Sequence, residues 1–203
     1  MEFDYIVVGA GSSGCVVANR LSANKNVSVA LIEAGSRDSS PWIHIPIGYF
    51  RTIKNPSVNW MYKTEEDPGL NGRSINWPRG KTLGGTSSIN GLLYVRGQQQ
   101  DYDGWAQRGN SGWSWREVLP YFKKSENWKG PHSTHRGSSG PLTINESEST
   151  WPIVDAWIKA AQNGGFSYNN DYNSGNQEGV GFFQLTADRG LRCSAAKAYL
   201  KPI

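Results

Sequence analysis

Sulfur is scarce in this chain. Its two cysteines, Cys15 and Cys193, are too few for a disulfide framework, and neither stands at the spacing of a metal-ligand set. Histidine is nearly as rare, with His44, His132 and His135 the only three. No apolar run reaches the ~20 residues that cross a bilayer, so no transmembrane segment is expected. No basic segment followed by a cleavable apolar stretch opens the chain, so the glycosylation patterns at Asn26-Val-Ser and Asn145-Glu-Ser mean little. These absences point to a cytoplasmic, reducing setting, with attachment to a membrane surface left open. Surplus charge is small as well. The net value is +4, the 21 Lys and Arg are scattered, and the densest cluster is the pair Lys123-Lys124. That excludes the basic stripe of a nucleic-acid groove. There is no internal repeat.

What is present is a loop-rich globular composition: 37% hydrophobic residues, 24 glycines and 9 tryptophans in 203 residues. The length suits one domain, or a domain with part of another. Tyr5-Ile-Val-Val8 is a short β-branched run of the kind that forms a buried parallel strand. Gly9-Ala-Gly-Ser-Ser-Gly14 breaks it, and Gly14, Ala18 and Leu21 then share one helical face that ends near Ser22. A second apolar run, Val27 to Ile32, closes on Glu33-Ala34-Gly35. The pattern is one right-handed βαβ unit over residues 4–35, hence an α/β fold.

From Ser36 to Pro78 no period is sustained, which predicts a long loop-rich stretch that is functional or wraps something. Ser114-Trp-Arg-Glu117 forms a capping box, and Pro120 should kink that helix or stop it early. Residues 129–141 make a polar loop. Val154, Trp157, Ile158 and Ala161 form an amphipathic stripe ended by Gly164-Gly165, and Ser194–Leu200 is a further short helix. Only two strands of a doubly wound sheet are clear, so the chain reads as the N-terminal piece of something longer.

The Gly9-x-Gly11-x-x-Gly14 spacing has a specific physical use. Gly9 permits a tight turn, Gly11 lets the backbone approach a pyrophosphate, and Gly14 lets the helix pack on the strand. The helix start at Ser12 and Ser13 offers free N–H groups and the positive end of its dipole to that anion. Glu33, with Ala34 beside it, stands at the tip of the second strand, where a carboxylate accepts from ribose hydroxyls. An acid there disfavours a 2′-phosphate. The unit therefore calls for an adenine dinucleotide and leaves NAD and FAD both open.

A second segment, Pro78-Arg-Gly-Lys-Thr-Leu-Gly-Gly-Thr-Ser-Ser-Ile-Asn90-Gly-Leu-Leu-Tyr-Val-Arg-Gly97, carries Arg79 and Lys81 and then no charge from Thr82 to Val95. With Asp103, its stretch from Gly80 to Gly97 resembles the first signature of the glucose-methanol-choline (GMC) oxidoreductases, and the set is similar to their choline dehydrogenase-like alcohol dehydrogenases. The likeness extends to Asp4-Tyr-Ile-Val-Val-Gly, Leu70-Asn-Gly-Arg73, Trp77-Pro-Arg-Gly80, Gly112-Trp-Ser-Trp115 and Arg192-Cys-Ser-Ala-Ala-Lys-Ala-Tyr199. It thus covers essentially the whole chain.

The resemblance implies a Rossmann-like FAD-binding domain with loop-rich and helical insertions, incomplete at its C-terminus. Its βαβ core would be residues 4–35, its flavin-attachment loop 78–103 and its insertions 104–203, with the substrate-binding domain and C-terminal catalytic region lying beyond. Gly84 and Gly85 would bring amides to the pyrophosphate, with Arg79 and the Thr86 hydroxyl nearby. Thr82, Asn90, Gly91, Leu92 and Leu93 would follow the isoalloxazine and ribityl chain. The implied reaction passes a hydride from a choline-like or simple alcohol to flavin N5, then electrons to a quinone, dye or oxygen acceptor. Some members have histidine at the position of Asn90 and bond it to the flavin; asparagine cannot, so dissociable FAD is expected. The family's catalytic histidine lies far downstream, so no catalytic residue is assigned here. Two readings compete: an NAD-linked dehydrogenase, which explains residues 5–33 alone, and a truncated, inactive flavin-binding fragment. Cys15 and the aromatics of residues 105–128 are expected to be packing residues.

Overall fold

The computed structural model describes residues 2–147 and 151–203. They form two compact units: Met1–Leu92 with Ala187–Ile203, and Leu93–Thr186.

In the first unit β1 (Tyr5–Val8) pairs in parallel with β2 (Val29–Ile32), in register from Tyr5↔Val29 to Val8↔Ile32. Helix α1 (Ser12–Ser22) connects them. Its inner face is built from small side chains, with Cys15 and Ala18 buried, so the helix lies close to its neighbours. A wide π-helical turn, Ala196–Leu200, packs on α1, and Asn19 Nδ2 donates to the Tyr199 carbonyl at 2.7 Å. The far end of the βαβ unit is held by Asp4, whose Oδ2 accepts from the backbone N–H and the hydroxyl of Ser28, each at 2.7 Å. The backbone bond and then the hydroxyl lower the Asp4 pKa.

One expectation fails here. The strands are parallel and β-branched, yet they are not buried: Val8 is 82% exposed, and Tyr5, Ile6 and Ile32 are open too. A sheet of two strands has an open edge on each side, and one helix covers only part of its surface.

Residues 36–92 fold into short pieces. They are α2 (Pro41–His44), a 3-10 turn at Pro46–Gly48, α3 (Tyr49–Thr52), and the antiparallel pair β3 (Tyr62–Lys63) and β4 (Asn76–Trp77). A small apolar core of Ile43, Val58 and Ile89 joins these pieces to the segment that follows. A hairpin, Ala187–Asp188 with Leu191–Arg192, completes the unit.

The second unit holds α4 (Gln99–Gln107), α5 (Trp115–Ser125), a parallel pair β5 (Glu126–Trp128) and β6 (Leu142–Ile144), and α6 (Pro152–Asn163). Sequence reasoning did not anticipate α4; its signal is Asp101, whose Oδ2 accepts from the Gln98 N–H at 2.7 Å. The capping box of α5 forms, with Glu117 Oε2 accepting from Ser114 N–H at 3.1 Å and from its hydroxyl at 2.6 Å. Pro120 does not stop that helix, which continues to Ser125. Its ring removes one N–H in the middle of the helix, while the cap and the contact of Trp115 with Phe122 lie on the turns around it.

The stripe on α6 is also not a buried face. Ile158 is buried, but Trp157 is 63% exposed and Val154 is open. The aromatics of 105–128 divide: Trp115 and Trp128 are buried, whereas Trp105, Trp113 and Tyr121 are exposed.

The core of this unit is ionic. Glu126, fully buried, accepts from Arg96 Nη2 at 2.5 Å and from Arg136 Nη2 at 2.8 Å. Arg136 also reaches Asp171 at 2.6 Å and Gln184 at 2.9 Å. Two cations and two carboxylates thus neutralise each other, all buried except Asp171, which is partly exposed.

Candidate functional site

The loop from β1 to α1 is shaped by its glycines, each in a different way. Gly9 has φ +90°, a left-handed conformation that side chains disfavour. A Cβ on Gly14 would stand 1.8 Å from the Gly9 carbonyl oxygen, so this position must be bare for α1 to begin against the loop. Gly11 is the informative one. Its φ of −76° suits any residue, and a Cβ there would meet no protein atom within 4 Å. Neither strain nor packing demands glycine at 11; the missing side chain leaves free space in front of the helix. That helix end has no side-chain cap and no acidic residue in its first turn, so its N–H groups and dipole face outward uncompensated.

Glu33 ties this loop down. Its Oε2 accepts from Ala10 N–H at 2.8 Å and its Oε1 from Gly35 N–H at 2.9 Å. The carboxylate therefore holds the glycine loop to the end of β2, and each oxygen keeps a lone pair for a further donor.

The second glycine motif lies directly on the first. Gly84 N–H donates to the Ala10 carbonyl at 2.7 Å, and a Cβ on Gly85 would come within 2.7 Å of Gly11 Cα. Gly84 and Gly85 both take positive φ, +87° and +53°, and a 3-10 turn, Gly85–Ser88, follows. The Ser36 carbonyl anchors the segment by accepting from the Thr82 hydroxyl at 2.9 Å and Leu83 N–H at 3.0 Å. Thr86 Oγ1 accepts from Gly80 N–H at 3.1 Å.

Between the two motifs runs a cleft of about 480 Å³. Eight of the residues singled out from sequence line it: Gly9, Gly11, Ser12, Glu33, Ala34, Arg79, Gly85 and Thr86. Gly80 and an apolar wall of Val8, Ile32 and Trp60 complete it. Trp60 was not anticipated, because it sits in an aperiodic stretch; it is half exposed, stacked parallel to Tyr62 at 5.8 Å, with Lys81 Nζ 4.7 Å from its ring. The other eight do not line the cleft. Thr82 is fully buried with its hydroxyl committed to Ser36, so it acts on the cleft wall from behind. Gly14 and Gly84 serve the loop geometry, and Ser13 is exposed on α1. Asn90 and Gly91 are exposed beyond the 3-10 turn, Leu92 is buried with φ +64°, and Leu93 begins the second unit with its side chain exposed.

The remaining candidates for chemistry lie elsewhere. His44 Nε2 is 2.7 Å from the Asp38 carbonyl, and none of the three histidines lines the cleft. Cys15 is fully buried, its thiol donates to the Ala10 carbonyl at 3.1 Å, and burial pushes its pKa up to about 11. It is an inert packing residue, and both cysteines are free. Among the described residues no group of His, Cys, Asp and Glu could hold a metal ion. The second unit has a cavity of similar size, about 540 Å³, lined by Tyr102, Trp105, Trp113, Tyr121 and Phe122. It offers mainly aromatic surface, with Gly112 the one glycine in its lining and no paired glycine loops.

A profile of the GMC oxidoreductases matches residues 3–203. The chain belongs to this family. Its fold is accordingly the family's α/β flavoprotein fold. An alcohol dehydrogenase [acceptor] of Pseudomonas putida is 44% identical over 99% of this chain, and an oxygen-dependent choline dehydrogenase of Photobacterium profundum is 44% identical over 98%. The chain spans only 37% and 35% of the length of those two GMC relatives. Among solved structures, pyridoxine 4-oxidase from Mesorbium loti superposes with a TM-score of 0.92 at 34% identity, over 98% of this chain and 39% of that one. Formate oxidase from Aspergillus oryzae, in a study of its FAD modification, gives 0.88 at 30% identity, over 98% and 36%.

Proposed function

We propose that this chain supplies the dinucleotide cradle of an FAD-dependent oxidoreductase acting on CH–OH donors, with a choline-like or simple alcohol as substrate. The observation that carries the reading is Gly11: bare for no internal reason, in front of an uncapped helix, with a second glycine loop against it. That is the space and polarity an FAD pyrophosphate requires. The α1 start at Gly11, Ser12 and Ser13 would face the phosphates from one side, and Arg79, Gly85 and Thr86 from the other. Gly14 and Gly84 would shape the two loops, and the Gly84 and Gly85 N–H groups, expected to reach the pyrophosphate, instead donate to the Ala10 and Thr82 carbonyls. Glu33, through its remaining lone pairs, and Ala34 would meet the ribose. Val8, Ile32 and Trp60 would flank the adenine. Asn90, Gly91, Leu92 and Leu93 would follow the ring, with Thr82 supporting that wall from within.

Bound flavin would supply the two-electron acceptor for alcohol oxidation and pass the electrons on to a quinone, dye or oxygen. No histidine of this chain lines the cleft, so the proton acceptor is not assigned to it. The NAD-linked reading accounts for the first loop and leaves the second, which touches it, without a purpose. Among the described residues no helix is long and apolar enough to cross a membrane, and a cytoplasmic setting is part of the proposal. The test is purification of the full-length protein: flavin absorbance is expected, with turnover of choline or a simple alcohol by a dye acceptor. Acid precipitation should leave the flavin in the supernatant, because Asn90 cannot bond to it. A colourless protein that takes up no added FAD would refute the reading.

A further inference from the structure

Arg192 heads the fully buried side chains by size, and it carries its charge alone. Among the described residues no carboxylate pairs with it, in contrast to Arg96 and Arg136. Its guanidinium donates only to neutral oxygens. Nε reaches the Ile43 carbonyl at 2.7 Å, Nη1 the Ser87 carbonyl at 3.1 Å and Asn90 Oδ1 at 2.8 Å, and Nη2 the Asn90 carbonyl at 2.7 Å. Burial alone pushes its pKa down to about 10, so it stays charged at neutral pH. Three of its four bonds converge on Ser87 and Asn90, in the segment just past the glycine pair.

The consequence for Asn90 is specific. Its Oδ1 accepts from Arg192 Nη1 and also from Leu92 N–H at 3.1 Å. Two donors on one atom require that atom to be the oxygen, so the carboxamide NH₂ must be the free end of this exposed side chain. The same two bonds brace Leu92 in a left-handed conformation that leucine disfavours.

We infer that Arg192 is a positioning residue for the flavin ring: it fixes Asn90 with its NH₂ free and lends an unneutralised positive charge that favours the reduced ring. This rests on the flavin reading above. Reduction leaves negative charge on the ring's pyrimidine side, and a fixed cation in a dry setting stabilises such charge without reorganising.

The test compares the flavin-loaded wild-type protein with Arg192→Gln and Arg192→Lys by spectroelectrochemical titration, FAD affinity and thermal unfolding. Arg192→Gln should shift the two-electron reduction equilibrium at least about tenfold toward the oxidised form, about 30 mV. Arg192→Lys keeps the charge and should hold the wild-type potential, yet bind FAD about tenfold more weakly because its fork on Asn90 is lost. Should Arg192→Gln fail to fold, the lysine variant decides: its effect on FAD affinity must vanish in an Asn90→Ala background. A merely structural arginine would lower the unfolding temperature and leave potential and affinity unchanged; that outcome overturns the inference. Failure of the wild-type protein to bind FAD at all would instead overturn the reading beneath it.

Discussion

Gly11 and Gly14 are the same residue type three positions apart, and they predict opposite mutational results. Gly11→Ala places a methyl group in empty space, so the thermal midpoint should hold while FAD affinity, measured by calorimetry, falls at least about tenfold. Gly14→Ala drives a methyl into the Gly9 carbonyl and should lower stability by more than about 2 kcal/mol in denaturant unfolding. Cys15 offers a pH test. Its folded pKa of about 11 lies above the 9.0 of a free thiol, so the folded state holds the proton more tightly. The stability from burying it neutral is complete below pH 9 and declines as pH rises from 9 to 11, by at most about 1.4 kcal/mol per pH unit. Cys15→Ala should remove that slope from a pH series of unfolding curves, and alkylating reagents should leave folded Cys15 unlabelled near pH 8. These roles differ in how legible they were. The glycine spacing predicted the tight turn from β1 into α1, because that geometry is local to one loop. That Glu33 would spend both oxygens on Ala10 and Gly35, or Thr82 its hydroxyl on Ser36, depends on where separate loops meet and leaves no mark in spacing.

The helices and strands were read unevenly, for reasons that each element states. The βαβ unit and the capped start of α5 were legible because both are encoded in adjacent residues. Of the two outcomes expected at Pro120, a kink or an early stop, the stop does not occur, since α5 runs on to Ser125. Pro120→Ala should therefore raise stability by about 1–3 kcal/mol, by restoring an N–H for the Arg116 carbonyl. Ser114→Ala should cost about 1 kcal/mol by releasing Glu117, both read as shifts in denaturant midpoint. The α6 stripe predicted its helix and the glycine stop, whereas β1 is not buried as its β-branched run suggested. Periodicity reports which side chains share a face, and Trp157 and Val8 do; it is silent on whether anything covers that face.

Taken as a molecule, the two units are stabilised by different physics. The first is a backbone lattice of loop-to-loop hydrogen bonds around small residues, whereas the second is centred on a dry ion network. Glu126→Gln leaves Arg96 and Arg136 short of a counter-charge. It should cost about 3–5 kcal/mol, a loss visible as early unfolding of residues 93–186 in hydrogen exchange. The ion network was invisible in the sequence because Arg96 and Asp171 are remote from Glu126 and Arg136, and the four share no motif spacing. The anchoring of the second glycine loop has a dynamic consequence. The Ala10 and Ser36 carbonyls, just past the ends of β1 and β2, hold Thr82, Leu83 and Gly84 by hydrogen bonds within the protein. This segment is a fixed wall rather than a swinging cover. If the cleft takes a dinucleotide, the entropy of ordering this wall falls on folding rather than on binding.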